Sequence, residues 1–272
     1  MGITLKIDAS VMSSKGIIRS RNEDNFYFNG IIRKLNSQQD PQRYSTASWG
    51  NRFVFAVCDG MGGEQFGEEA SYIAVQSLHN FCETNLQSID KISDLKKYMD
   101  DYINKTNHAI YEYSLKLGSR SGTTLAAVAF CQDKAMAFNI GDSSVYLLRN
   151  SNLTKLTTDH TEAQRLIRLG VLNSHTAKHH KSKNLLTRYL GSDPANGIME
   201  AAYSDELTVL KGDVYLICSD GLSDSLTDEE IKFHLSMPDN SALICQDLVG
   251  LALSNSNKDN VIALVVKIID ML

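Results

Sequence analysis

Short apolar segments alternate with polar turns along most of the chain, a pattern typical of a protein rich in β-strands. Six segments have the length and the turn-rich flanks of a buried strand, namely residues 53–58, 124–130, 135–140, 145–148, 214–218 and 261–268. Three longer segments carry apolar residues at helical spacing, which predicts helices with one face in the core, within residues 70–81, 95–113 and 243–253.

The order of these elements indicates the fold class. Two predicted helices follow each other between the strands at 53–58 and 124–130, and the next strands are joined by short turns. This order disfavours a regular parallel β-α-β sheet and predicts antiparallel sheets with helices outside them, an α+β layered architecture. The longest polar stretches, residues 36–50 and 175–184, are predicted to be loops or lids.

Composition narrows the class of protein further. The 272 residues are 43% hydrophobic and contain no linker-like tract, so one large domain is the simplest expectation. A formal net charge of −5 argues against a general nucleic-acid binder. No apolar run approaches the roughly 20 residues of a membrane span, and Lys6 and Asp8 interrupt any signal-like segment. We therefore expect a cytoplasmic protein, with its five separated cysteines buried and reduced. A monomer is the expected oligomeric state.

Acidic corners supply the first candidate chemistry. Three of them adjoin a predicted strand end, and a fourth acidic cluster lies near the N-terminus: Asp59-Gly60, Asp220-Gly221, Asp259-Asn260 and Asn22-Glu23-Asp24. A lone Asp-Gly is more often a simple turn, but several in one context favour convergence on one site. Clustered carboxylates repel unless protons or cations neutralise them, and oxygen ligands favour magnesium, manganese or calcium.

Two further residues suit such a site. Gly60 has no side chain, so its carbonyl can turn toward an ion. Arg19 stands five residues before Asp24, and a guanidinium beside a metal pair is suited to gripping a phosphate with two hydrogen bonds. Taken alone, an arginine at such a position is more often a solvated surface charge.

Eight short motifs occur in order over nearly the whole chain. They are Arg19 with Asn22-Glu23-Asp24, Asp59-Gly60-Met61-Gly62-Gly63, Ser121-Gly122-Thr123-Thr124, Asn139-Ile140-Gly141-Asp142-Ser143, Leu156-Thr157-Thr158-Asp159-His160, Leu185-Leu186-Thr187-Arg188-Tyr189-Leu190-Gly191, Ser219-Asp220-Gly221-Leu222 and Asp259-Asn260. Each motif alone is weakly specific, whereas the ordered set resembles the metal-dependent protein phosphatases, the PPM or type 2C family, in their compact bacterial form.

The resemblance implies a fold and a set of ligands. The implied fold is two antiparallel sheets packed face to face with helices on both sides, formed by residues 1–272 as one catalytic domain with a flap at about 158–184. Two manganese or magnesium ions are implied, with Asp59 bridging them. By the same resemblance, the other ligands are Asp220 and Asp259 on the first ion, the Gly60 carbonyl on the second, Glu23 and Asp24 largely through water, and Asp142 with Asp220 on a third ion.

The resemblance also implies a reaction. A water held between the two ions would attack phosphorus in line, while Arg19 and the ions neutralise the phosphate oxygens. Arg19, Asp59 and Asp220 would thus be the catalytic residues. The implied substrates are proteins bearing phosphoserine or phosphothreonine, including a partner serine/threonine kinase.

The sequence departs from the family pattern at several positions. Met61 stands where animal relatives often have a histidine proposed as general acid, and methionine cannot donate a proton. Ser144 and Gln65 also differ from common residues and are interpreted as peripheral. The flap ends in a basic run that is either a solvated face or a contact for an acidic substrate, comprising Lys178, His179, His180, Lys181 and Lys183.

Three alternative classes are weighed against this hypothesis. A binding module on the same fold would have lost metal ligands, but every expected aspartate is present. A phosphotransferase with an aspartate nucleophile favours Asp-x-Asp at a strand end, where this chain has Met61 and Leu222. A partner-switching regulatory phosphatase would use the same chemistry and usually carries sensor domains, for which we expect no room in this chain.

Overall fold

The computed structural model describes residues 2–62, 66–177, 180–255 and 258–272. Its strands are β1 (Leu5–Ser14), β2 (Asn25–Phe28), β3 (Ile31–Ile32), β4 (Gln42–Gly50), β5 (Arg52–Cys58), β6 (Gly60–Gly62), β7 (Ser121–Thr123), β8 (Leu125–Cys131), β9 (Lys134–Ile140), β10 (Ser144–Arg149), β11 (Asn152–Lys155), β12 (Ala202–Tyr203), β13 (Leu207–Thr208), β14 (Val214–Cys218) and β15 (Val261–Met271). Its α-helices are α1 (Phe66–Asn85), α2 (Ile92–Leu117), α3 (Glu162–Arg168), α4 (Ser174–Ala177), α5 (Asp220–Ser223), α6 (Asp228–Leu235) and α7 (Ser241–Ser254).

Most of the described strands form two antiparallel sheets. The first sheet has the order β11-β10-β14-β15-β1-β4, and the second has the order β12-β9-β8-β5-β2-β3, with β13 also pairing with β9. Strands β6 and β7 form a small separate ribbon. The two chain ends meet in the first sheet, because β1 pairs along its whole length with β15.

Buried side chains form three layers of core that define the stacking. One layer lies between the two sheets, a second between the second sheet and helices α1 and α2, and a third between the first sheet and helices α5 to α7. Along β15, Ile262 and Leu264 enter the layer between the sheets, whereas Val261 and Ala263 enter the layer under the helices. Each fully buried aliphatic side chain of this kind contributes about 1.5–3 kcal/mol. The predicted α+β sandwich with helices on both sides is confirmed.

The spacing of apolar residues correctly predicted most of the long strands and helices. All six predicted strands and all three predicted helices are present. The prediction of a loop at 36–50 was wrong for residues 42–50, which form β4 along an edge of the first sheet. The apolar helical stripes are mostly core, but Tyr98 is 38% exposed and Leu243 is 46% exposed.

Two expectations about the chain as a whole can be compared with the structure. Among the residues that the structure describes, no helix has both the length and the apolar character that crossing a bilayer requires. All five cysteines are buried and unpaired, as expected for small hydrophobic side chains in a core.

Candidate metal centre

Strand register brings distant acidic residues to one end of the sandwich. Asn25 of β2 lies opposite Cys58 of β5, so the preceding residue, Asp24, lies near the following residue, Asp59. In the other sheet, the start of β10 lies opposite the end of β14, which places Asp142 near Asp220. Antiparallel neighbours always meet end to start in this way, so the convergence follows from topology and not from spacing along the chain.

A cavity of about 580 Å³ opens at this end of the molecule. The residues predicted from sequence that line it are Arg19, Glu23, Asp59, Gly60, Asp142, Asp220 and Asp259. Asp24 is only 1% exposed, and its carboxyl group lies beside Asp59 and Ser219. The structure therefore brings the whole predicted set of side chains into one neighbourhood.

The carboxyl groups at the cavity floor retain protons more strongly than ordinary aspartates do. Burial raises the pKa of Asp59 well above its usual range, and the nearby charges of Asp24 and Asp220 raise it further. Asp59 donates a hydrogen bond to Asp220, whose pKa is about 6, raised by burial. Burial also raises the pKa of Asp142 to about 8, and the charge of Asp220 adds to this effect. Protons and cations therefore compete for the same oxygens.

The donor set fits a hard divalent cation. Glu23 Oε1 and Asp24 Oδ2 are buried and have no hydrogen-bond partner among the described residues, a costly arrangement unless another species engages them. No three histidine, cysteine or carboxylate side chains of the described chain are grouped tightly enough to hold an ion as they stand. Asp59 pairs with Asp220, and Asp259 pairs with Arg19 at 2.8 Å. Holding an ion therefore requires these contacts to be exchanged for contacts to the ion.

The backbone at Gly60 is packed too tightly for any side chain. A Cβ atom there would lie 2.1 Å from the carbonyl oxygen of Gly67 and 2.4 Å from that of Glu23. Because both neighbours are backbone atoms, neither can move without shifting its own segment. The glycine therefore allows α1 and the Glu23 segment to approach the strand end that carries Asp59.

We expect Gly60→Ala to lower the free energy of unfolding by about 2 kcal/mol or more, because overpacked sites relax poorly. Denaturant unfolding measures this, and the matched control is Gly250→Ala in the exposed part of α7, where a new Cβ meets nothing within 4 Å. The control variant is expected to gain about 0.5–1 kcal/mol. Equal stability of the two variants would contradict the close approach at Gly60.

Two threonines that were noted only as a motif position Asp59. Thr124 Oγ1 accepts a hydrogen bond from the Asp59 amide at 2.9 Å, and Thr123 Oγ1 donates to the Asp59 carbonyl at 2.9 Å. Thr124 also shares a 2.7 Å hydrogen bond with Ser143, the residue after Asp142. The Ser-Gly-Thr-Thr segment thus ties two of the acidic corners to each other.

Asn260 performs a similar role for the N-terminal acidic cluster. Its Oδ1 accepts from the Glu23 amide at 2.7 Å, and its Nδ2 donates to the carbonyls of Lys15 and Arg21 at 2.9 Å each. Since Asn260 follows Asp259, the same corner that supplies a carboxylate also holds the segment bearing Arg19. Sequence reasoning noted this asparagine only as part of a turn.

His160, at the end of the Leu-Thr-x-Asp-His motif, supports the corner that carries Asp142. Its Nδ1 accepts from the Gly141 amide at 3.2 Å, and its own amide donates to the Gly141 carbonyl at 2.9 Å. Burial lowers the pKa of His160 to about 4, and the charges of Arg188 and Arg168 lower it further. The imidazole is therefore neutral at physiological pH and acts as a structural acceptor.

The last residue of the predicted flap and the two residues after it supply a further part of the cavity wall. They are Asn184, Leu185 and Leu186, and Met61 also lines the cavity at the position where a histidine was considered. Lys183 forms a 2.7 Å ion pair with Asp224, so this part of the basic run faces the acidic end of the molecule. The other departures and basic positions at Gln65, Lys178 and His179 lie outside the described residues, as does Gly63 of the second motif.

Comparison with known proteins now identifies the family. A family profile described as "Protein phosphatase 2C" matches residues 31–247. The chain belongs to the protein phosphatase 2C family. A curated family member, the serine/threonine protein phosphatase PstP of Mycobacterium tuberculosis, is 32% identical over 98% of this chain, which spans 46% of the length of that relative. The serine/threonine phosphatase stp of Listeria monocytogenes is 30% identical, with 95% of each chain aligned.

Solved structures of protein phosphatase 2C members share the fold. A crystal structure of the M. tuberculosis serine/threonine phosphatase PstP is 30% identical, has a TM-score of 0.79, and aligns with 98% of this chain and 100% of its own. A structure of the PstP catalytic domain in complex with two manganese ions is 29% identical, with a TM-score of 0.77 and the same coverage.

Proposed function

We propose that this protein is a metal-dependent protein phosphatase that hydrolyses phosphoserine and phosphothreonine. The observation that carries the proposal is the convergence of Asp24, Asp59, Asp142 and Asp220 beside Arg19 at one end of a protein phosphatase 2C fold. Relatives named serine/threonine phosphatases, and a relative solved with two manganese ions, support it.

The proposal assigns ligands to two divalent cations, manganese or magnesium. Asp59 would serve both ions, Asp220 and Asp259 would hold the first, and the Gly60 carbonyl would join the second. Glu23 and Asp24 would act largely through water, and Asp142 with Asp220 would accept a third ion. When bound, such a cation pair lowers the pKa of an intervening water and neutralises charge that develops on the phosphate.

The chain's own residues would position the phosphate, and they exclude a cysteine nucleophile and a proton donor at position 61. Arg19 lines the cavity, and its Nη2 donates to Asp259 Oδ2 at 2.8 Å. An ion that takes Asp259 would release this contact and leave the guanidinium beside the cavity with its donors available to phosphate oxygens. No cysteine is available as a nucleophile, since all five are buried and burial raises the pKa of Cys58 and Cys218 above the usual thiol range. Met61 lines the cavity and has no proton to donate to the leaving group.

We expect Arg19→Lys to lower kcat/KM for an aryl phosphate about tenfold, because a lysine cannot make the paired, planar hydrogen bonds of a guanidinium. Steady-state kinetics with manganese measure the change. The matched control is Arg43→Lys, which changes an exposed arginine of β4 whose side chain donates to Gln246, and this variant should match the parent protein. Equal values of kcat/KM for both variants would show that Arg19 does not bind the phosphate.

The same proposal extends to the context of the reaction. We propose that residues 1–272 act as one catalytic unit with residues 158–184 as its flap, that it works as a cytoplasmic monomer, and that its substrates include a serine/threonine kinase. A panel of matched phosphopeptides tests the substrate class. Phosphothreonine and phosphoserine peptides should be hydrolysed in preference to phosphotyrosine peptides, and the opposite order would contradict the proposed class.

A further inference from the structure

A second cavity continues from the acidic one along the surface. It has a volume of about 890 Å³ and lies between the end of α2, residues 118–121 and residues 187–200. The two cavities share the wall residues Arg120, Ser121 and Tyr189. Of these three, Arg120 is the charged one. We call this second cavity the side groove.

The backbone around Arg120 is held firmly in place. Helix α2 ends at Gly118, whose φ of 62° is left-handed, and Ser119 then donates its amide to the Ser114 carbonyl at 3.3 Å. On the other side, the Ser121 amide donates to Ser114 Oγ at 3.3 Å. Both neighbours of Arg120 are thus anchored to one residue of α2, so the position of the arginine is defined by the fold.

The opposite wall is fixed to the same helix by two asparagines. The buried Asn107 side chain accepts from the amides of Gly191 and Ser192 and donates to the Ser192 carbonyl, at 2.8 to 3.0 Å. One turn earlier, Asn104 donates to the Met199 carbonyl at 3.2 Å and accepts from the Met199 amide at 3.0 Å. Both ends of the segment 191–199 are tied down, so the side groove is preformed.

The wall shared by the two cavities suits a polypeptide that carries negative charge at that point. The rest of the side groove is mixed in charge and includes two acidic residues, Asp193 and Glu200. Arg120 is exposed and makes no hydrogen bond or ion pair within the described part of the chain. Arg188, by contrast, donates to the Glu200 carbonyl at 3.1 Å. Farther along the groove, Leu115 is 57% exposed and Ile198 is 80% exposed. An unpaired cation next to the acidic cavity and apolar side chains beyond it match an extended peptide better than a small polar molecule.

We propose that the side groove binds the substrate polypeptide beside its phosphorylated residue, and that Arg120 selects an anionic side chain close to that residue. The inference rests on the proposed phosphatase function and specifies its substrate. The anion is the carboxylate of Asp or Glu or a second phosphate, both of which pair with a guanidinium. Arg120 is thus a specificity residue and does not act on the reacting phosphate.

The test compares phosphothreonine peptides that carry Asn, Asp or phosphoserine at each of the three positions on either side. The parent protein should favour an acidic residue at one of these positions by about threefold in kcat/KM, the size of a partly exposed ion pair. Arg120→Gln should abolish that preference and Arg120→Glu should reverse it. The Asp and phosphoserine arms show which source of the anion is favoured. Arg43→Gln is the matched control and should keep the preference.

An aryl phosphate has no flanking residues, so it distinguishes a role of Arg120 in peptide selection from a role on the reacting phosphate. All these variants should hydrolyse it at the parent rate. Loss of aryl-phosphate turnover in Arg120→Gln would place Arg120 on the reacting phosphate and overturn the inference. The inference would also be overturned if the parent protein showed no preference for acidic peptides, or if Arg120→Gln kept that preference. A parent protein that lacks manganese-dependent aryl-phosphate turnover would instead overturn the proposed function, and the inference with it.

Discussion

Replacing Asp59 with asparagine should lower kcat for an aryl phosphate roughly 10³-fold, while making the metal-free protein more stable. The loss follows because Asp59 is the proposed bridge between both cations, and a metal pair supplies several kcal/mol of transition-state stabilisation. The gain in stability follows because burial and the charges of Asp24 and Asp220 raise the pKa of the Asp59 carboxyl. An amide of the same shape has no charge to bury.

Two measurements on one variant test this prediction. Manganese-dependent turnover gives kcat, and thermal unfolding in chelator at pH 8 gives the stability. Asp205→Asn is the matched control, since Asp205 is exposed and lies far along the chain in the link between β12 and β13. A variant that kept near-parental kcat, or that was less stable than the control without metal, would be incompatible with a metal-binding carboxylate buried among other carboxylates.

The second large effect is a pH-dependent stabilisation by manganese. The folded protein holds the pKa of Asp220 at about 6 and that of Asp142 at about 8, both raised mainly by burial, whereas unfolded aspartates titrate near about 4. The folded state therefore binds more protons than the unfolded state over this range. Stability contributed by these protonated groups is complete below about pH 4 and is lost as the pH rises through about 6 to 8.

Cations that replace these protons should restore the stability that is lost as the pH rises. We expect the melting temperature of the metal-free protein to fall between pH 5.5 and pH 8.5. Saturating manganese should raise it by about 5–10 °C at pH 8 and by much less at pH 5.5. Differential scanning calorimetry with and without chelator measures both curves. A manganese effect that is equal at both pH values, or larger at the acidic one, would show that protons and ions do not share the site.

The fold was largely predictable because most strands are buried on both faces. Residues 261–266, for example, lie alternately in two different core layers, so this part of the sequence is an uninterrupted apolar segment. The edge strand β4 escaped prediction because most of its residues are polar, and because its two apolar side chains at Ala47 and Trp49 lie on the exposed face, so no buried apolar stripe marks it. Strand β1 was not predicted, although its apolar residues alternate with other residues at Leu5, Ile7, Ala9 and Val11, as is typical of a strand.

The candidate site was only partly predictable, for a different reason. The acidic corners could be identified from local context, but their convergence depends on strand register between segments far apart in sequence. The supporting role of Asn260 spans 237 residues to Glu23, and that of Thr124 spans 65 residues to Asp59. Arg120 belongs to no motif, and it became distinctive only as a cation in the wall between two cavities with no ion pair among the residues that the structure describes.

We propose that the carboxylates at one end of the sandwich hold a pair of divalent cations that phosphate hydrolysis requires. A decisive measurement removes all metal with chelator and then adds manganese back while aryl-phosphate turnover and bound manganese are both recorded. We expect no turnover in the stripped protein and full recovery as the second ion per chain binds. Turnover that persists in chelator, or that survives Asp220→Asn, would contradict this proposal.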